Sequence, residues 1–193
     1  RPWNIDDLTH LGRVVVINNA FRFIKNDVLI SADSNFVRRT TEEMKDYEGE
    51  EIILAIHESQ RTIKHDVATP VTYVQRKSGL GFSRDLNESN VMGNTGYAAL
   101  NIALLKKAKL VYLLGYDMNQ GFHSHWHNAE ELLDIPKRTK SPMYYREWAS
   151  HFEESVVDLA GMKVINLNPD SEIKCFEKGN YSDLGIELRS QES

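Results

Sequence analysis

Short runs of branched apolar residues, each cut off by a polar residue, constrain this chain more than any other feature. Val14-Val15-Val16-Ile17 stops at Asn18-Asn19, and Val28-Leu29-Ile30 stops at Ala32-Asp33. Residues 52–56 stop at His57, residues 110–114 at Gly115 and Asp117, and residues 164–167 at Asn168. Runs of three to five apolar residues without alternation fit strands buried on both faces, as in parallel sheets covered by helices. Residues 71–74 after Pro70 add another strand, and residues 173–176 a short edge piece.

Helical patterns lie between these runs. Residues 35–45 read as a helix that Thr40-Thr41-Glu42-Glu43 shortens or splits, with Gly49 beyond it. Residues 96–108 carry the best pattern: Tyr97, Leu100, Leu104 and Ala108 recur at helical spacing, and Asn94 or Thr95 can cap the start. Residues 143–160, opened by Pro142, repeat Tyr145, Trp148, Phe152, Val156 and Leu159 at steps of three and four. Strands alternating with helices make this an α/β chain, expected to form one mostly parallel sheet with helices on both faces. The 193 residues suit one domain over 1–193, with a long loop at about 118–141. The segment Ser78-Gly79-Leu80-Gly81-Phe82-Ser83 reads as a surface loop over a site.

Composition narrows the function. The chain is 41% hydrophobic and 26% charged, ordinary for a globular protein. A net charge of −5 argues against broad nucleic-acid binding. Cys175 is the sole cysteine, so neither a disulfide framework nor a cysteine-rich zinc site can form within the chain. No apolar stretch approaches the ~20 residues of a membrane span, and no signal peptide is evident. A cytoplasmic protein is expected, with homo-oligomerisation left open.

In an open parallel sheet the strand ends share one edge, where ligands bind. Asn18, Asn19, Asp33, His57, Asp117 and Asn168 all stand at such ends, although Asn and Asp are also ordinary turn residues. Gly93-Asn94-Thr95-Gly96 enters the best helix, where backbone N–H groups can hold a phosphate; a plain capped helix is the alternative. Neither a Walker motif nor GxGxxG is present. His123-Ser124-His125-Trp126-His127 is the most concentrated chemical feature. Its alternating imidazoles suit acid–base work, contact with an anionic substrate or, more weakly, a metal ion, and a solvated histidine-rich loop is the bland alternative. Lys137-Arg138-Thr139-Lys140 is a basic stretch in the same loop.

Residues 12–21, 27–33, 93–100 and 112–118, the histidine loop and Val164-Ile165-Asn166-Leu167-Asn168-Pro169 together resemble a known family. The chain is similar to the sialyltransferase-like, Rossmann-like proteins of bacteria and phages. These are related to a glycosyltransferase family that uses CMP-activated sialic acid and to the archaeal-type 6-hydroxymethylpterin pyrophosphokinases. The resemblance implies a Rossmann-like three-layer domain. It implies donor contacts by Asn18 or Asn19 and a donor-lining helix entry at Thr95 and Gly96, beside Asn94 of the same entry. Gly115 and Asp117 match its Gly-x-Asp unit, and His123, His125 and His127 stand in the region of the catalytic histidine. Family members carry an earlier strand with a Gly-Pro-Ser turn. Arg1 falls just after that place, so the first strand is expected to be missing from this sequence.

The leading expectation is a transferase that uses a nucleotide-activated donor, most simply a glycosyltransferase. His127 or His125 would act as base with Asp117 in the catalytic set, and no cofactor is required. One alternative is a pterin-type diphosphotransferase, needing Mg2+ held by carboxylates such as Asp33 and Asp117. Another is a non-catalytic nucleotide-binding or phage accessory module.

Overall fold

A computed structural model of the chain describes residues 8–60, 67–119 and 142–185. The chain divides into two compact units, Lys109–Asn180 forming the second and the remainder the first. In the first, β1 (Val15–Ile17), β2 (Val28–Ser31), β3 (Glu51–Ile56), β4 (Val71–Lys77) and β5 (Glu88–Asn90) build one sheet. Every neighbouring pair is parallel, and the spatial order is the chain order.

The apolar runs explain the middle of that sheet. All of β2 is buried, as is β3 beyond Glu51, since a helix covers each face. α1 (Ser34–Met44) packs Phe36, Val37 and Met44 against Val16, Leu29, Ile52, Leu54 and Ile56. α2 (Thr95–Leu105) packs Ala99 and Ile102 against Val28, Ile30, Ile53 and Val74 on the opposite face. Consecutive residues of β2 and β3 thus serve opposite cores, which alternation along a strand requires. Each fully buried Leu or Ile contributes about 1.5–3 kcal/mol by leaving water.

Thr40 and Thr41 do not split α1. Their hydroxyls donate to the carbonyls of Phe36 and Val37 at 2.9 Å each, one turn back, so they bond within the helix. α2 proves less amphipathic than its spacing suggests. Residues 96–102 are all buried, because the glycine-containing segment 78–87 lies along it. Phe82 stacks on Tyr97 at 4.5 Å, and Asn101 accepts from the amides of Ser83 and Asn90 at 3.0 and 2.9 Å. The segment is a surface loop, exposed at residues 78–80 and 84–87, and Phe82 and Asn101 pin it to the helix.

The second unit holds β6 (Leu110–Leu113), α3 (Pro142–Ser155), β7 (Lys163–Asn166) and β8 (Glu177–Lys178). A 3-10 turn, Val156–Leu159, extends α3. β6, β7 and β8 form a parallel three-stranded sheet in that order. Phe152 is fully buried between Tyr116 and Phe176, with edge-on ring contacts at 6.1 and 6.0 Å.

The architecture is α/β, with parallel sheets and flanking helices, consistent with a generic Rossmann-like three-layer arrangement. The expectation of a single sheet is corrected: β1, β2 and β3 ladder with one another, whereas β6 and β7 belong to a separate hydrogen-bonded sheet. The short terminal strand is Glu177–Lys178, just after the expected 173–176. Among the described residues, no helix is long and apolar enough to cross a membrane.

Candidate functional site

The carboxyl edge of the first sheet gathers side chains from several strand ends. β1 ends at Ile17, and Asn18 turns the chain with φ 47°, a conformation Asn tolerates better than most side chains. Its carboxamide then serves two neighbours. Oδ1 accepts from the Ser31 hydroxyl at the end of β2 at 2.8 Å, and Nδ2 donates to the Thr95 hydroxyl at the start of α2 at 3.3 Å. Ser31, fully buried, also accepts from the Asp33 amide at 3.2 Å. Near the end of β4, Arg76 donates to the Ala32 carbonyl at 2.9 Å, reaching past β3. The ends of β1, β2 and β4 and the first residue of α2 are thereby linked.

The helix entry is capped from within. Asn94 Oδ1 accepts from the Gly96 and Tyr97 amides at 2.7 and 3.3 Å. A ligand can use those two amides only by displacing the carboxamide, so the capped-helix alternative describes Asn94 and Gly96 here. Asp33 does the same for α1, accepting from Asn35 and Phe36 at 2.9 and 3.2 Å. Of the two asparagines after β1, Asn18 joins the linked set. Asn19 instead accepts from Arg22 at 2.9 Å, while Arg22 pairs with both carboxylate oxygens of Glu43.

In the second unit, Gly115 takes φ 73° after β6, where an added Cβ would meet no atom but would be strained. The turn buries Tyr116 and leaves Asp117 half-buried, accepting from Asn168 Nδ2 beyond the end of β7. Asn166 and Ser171 both donate to the Tyr116 carbonyl, at 3.3 and 2.6 Å, and the Glu172 amide donates to the Asp117 carbonyl at 2.8 Å. Asp117 therefore does more than terminate a strand: it ties two strand ends together across 51 residues of sequence. Asn19 and Asp117 fall in different units.

His123, His125, His127, Trp126 and the basic residues 137–140 lie outside the described residues. Among those described, no group of three or more His, Cys, Asp or Glu side chains is placed to hold a metal ion. Burial, reinforced by Glu153, pushes the Cys175 thiol up to about 11, which suits a protonated packing residue rather than a nucleophile. A surface cleft of about 580 Å3 opens elsewhere, beside the segments that lead into β2 and β3, lined by Phe21, Arg22, Asp27, Glu43, Tyr47 and Glu50. Its carboxylates repel anions, so size alone does not make it the site for a phosphate-bearing ligand.

Ser31 and Arg76 were not singled out by the strand-end pattern. Ser31 is hidden inside a buried strand, and the sequence offers Arg76 only as one of five basic residues, with Arg38, Arg39, Lys77 and Arg84, that could meet phosphates or be solvated face. No protein-family model matches the chain, and no curated protein or solved structure matches it significantly. Fold and site together define the class only as an α/β protein with a polar cluster at the carboxyl edge of a parallel sheet.

Proposed function

We propose that the carboxyl edge of the first sheet binds the phosphate-bearing part of a nucleotide-activated donor, and that the protein is a transferase. The glycosyltransferase assignment follows the sialyltransferase-like resemblance. The observation that supports the reading best is the linked set Asn18, Ser31 and Thr95 at the ends of parallel strands, where open α/β sheets take their ligands. In the proposed reaction, a histidine of the 123–127 stretch accepts the proton of an acceptor hydroxyl. The oxygen bonds to the transferred sugar carbon as the bond to the nucleotide phosphate oxygen breaks, and the nucleotide leaves as an anion.

Calorimetry with CMP, UDP, GDP, ATP and CMP-sialic acid, with and without magnesium, tests this directly. Binding of at least one nucleotide is expected, weakened by substitution at Asn18. No heat of binding from any of the five removes both this reading and the pterin-type alternative.

A further inference from the structure

We propose that Arg76 is a phosphate-binding residue of the carboxyl edge, held in place by its bond to the Ala32 carbonyl. The inference rests on the nucleotide reading of this edge and adds the cation it lacks, since Asn18, Ser31 and Thr95 are all neutral. Arg76 stands opposite Ser89 of β5 in the ladder. Val74 packs on the α2 side of the sheet, and alternation puts Arg76 on that same face. Ala32, Ala55 and Ala98 pack together there, small side chains that let a guanidinium lie across the strand ends.

One guanidinium N–H is committed to Ala32. Among the described residues no carboxylate pairs with Arg76, and no other hydrogen bond engages it. The two arginines near β1 differ: Arg13 pairs with Glu50 at 2.7 Å and Arg22 with Glu43 at 2.5 Å. A half-buried guanidinium without a counter-ion gains most from an oxyanion. Its planar fork matches two oxygens of one phosphate, and the Ala32 bond fixes its direction before the ligand arrives.

Calorimetry on the full chain with inorganic pyrophosphate, CMP and cytidine tests the assignment. Wild type is compared with Arg76→Ala, Arg76→Lys and, before β1, Arg13→Ala, with ligand-free melting temperatures alongside. Pyrophosphate and CMP are expected to bind wild type and Arg13→Ala alike. Arg76→Ala should weaken both about 10- to 100-fold, with Arg76→Lys intermediate and cytidine indifferent to either change. Pyrophosphate affinity in Arg76→Ala within about twofold of wild type overturns the inference, whether or not the melting temperature falls. In that case CMP binding still upholds the nucleotide reading. Arg76-dependent pyrophosphate binding without nucleotide binding does the reverse. Binding of neither by wild type sinks both. Should Arg76→Ala fail to fold, unchanged pyrophosphate affinity in Arg76→Lys overturns the inference.

Discussion

Asn18 holds three constraints at once: a left-handed backbone, an acceptor for Ser31 and a donor for Thr95. Aspartate satisfies the first two and fails the third, while adding a negative charge to the edge. Asn18→Asp should therefore weaken nucleotide binding about 10-fold or more and shift the melting temperature by only a few degrees, about 1 kcal/mol. A large stability loss with unchanged affinity would make Asn18 a purely structural residue. At the ends of β6 and β7, a double-mutant cycle of Asp117→Ala and Asn168→Ala should return a coupling of about 1 kcal/mol in urea denaturation. Additive effects would mean the pair contributes nothing. Asn18, Asp33, Asn94 and Thr95 were legible in the sequence because strand ends and helix caps are local patterns. Ser31 was not, and Arg76 stood out only as one of five basic residues, with Arg38, Arg39, Lys77 and Arg84, that could meet a phosphate or lie on a solvated face. Strand register separates it from the rest, because only the pairing of β2, β3 and β4 brings a β4 arginine to the carbonyl of Ala32 just beyond β2.

At the scale of elements, α2 depends on a single buried polar side chain. Asn101 is fully buried and makes three bonds, accepting from the Ser83 and Asn90 amides and donating to the Ser83 carbonyl. Asn101→Ala leaves those backbone groups without partners and should cost about 3 kcal/mol. Amide exchange should quicken first in residues 78–90, and a loss below about 1 kcal/mol would show that contacts other than Asn101, such as the Phe82 ring and the Asn90–Gly81 bond, hold the segment. The same segment shows why β5 escaped prediction. Glu88, Ser89 and Asn90 carry no apolar signal, and they form a strand because β4 offers an open edge and Asn101 holds the Asn90 amide. Between β3 and α2, burial pushes the Glu51 carboxyl up, but bonds from Lys106 and Thr72 outweigh it and hold the group below its ordinary value. The folded state thus favours the charged form. This stabilisation is complete above the ordinary value of 4.5 and drains away as pH falls through the lowered one. The stability gap between wild type and Glu51→Gln should accordingly be smaller at about pH 3 than at about pH 7. A gap independent of pH would remove the ion pair as its cause.

Across the whole molecule, the chain carries a formal net charge of −5, so its net charge does not draw an anionic ligand over long range. Affinity must come from short contacts, and raising salt from about 50 to 200 mM should weaken nucleotide binding less than about tenfold. A steeper loss would point to a dispersed basic surface instead. The α/β class was readable from apolar runs alone, since burial on both faces leaves a compositional mark on every central strand. The division into two sheets was not, because a parallel strand reads the same whichever neighbour it pairs with. The order of the first sheet bears on how the chain is made. Every strand pairs with the one synthesised just before it, so β2 finds β1 already available, and so on through β5. Growth on the ribosome can add one strand at a time to an existing edge, with no segment waiting for a distant partner. The growing edge then moves forward with synthesis and ends on β5, a polar three-residue strand that offers little for another chain to join, while β1 stays as the starting edge.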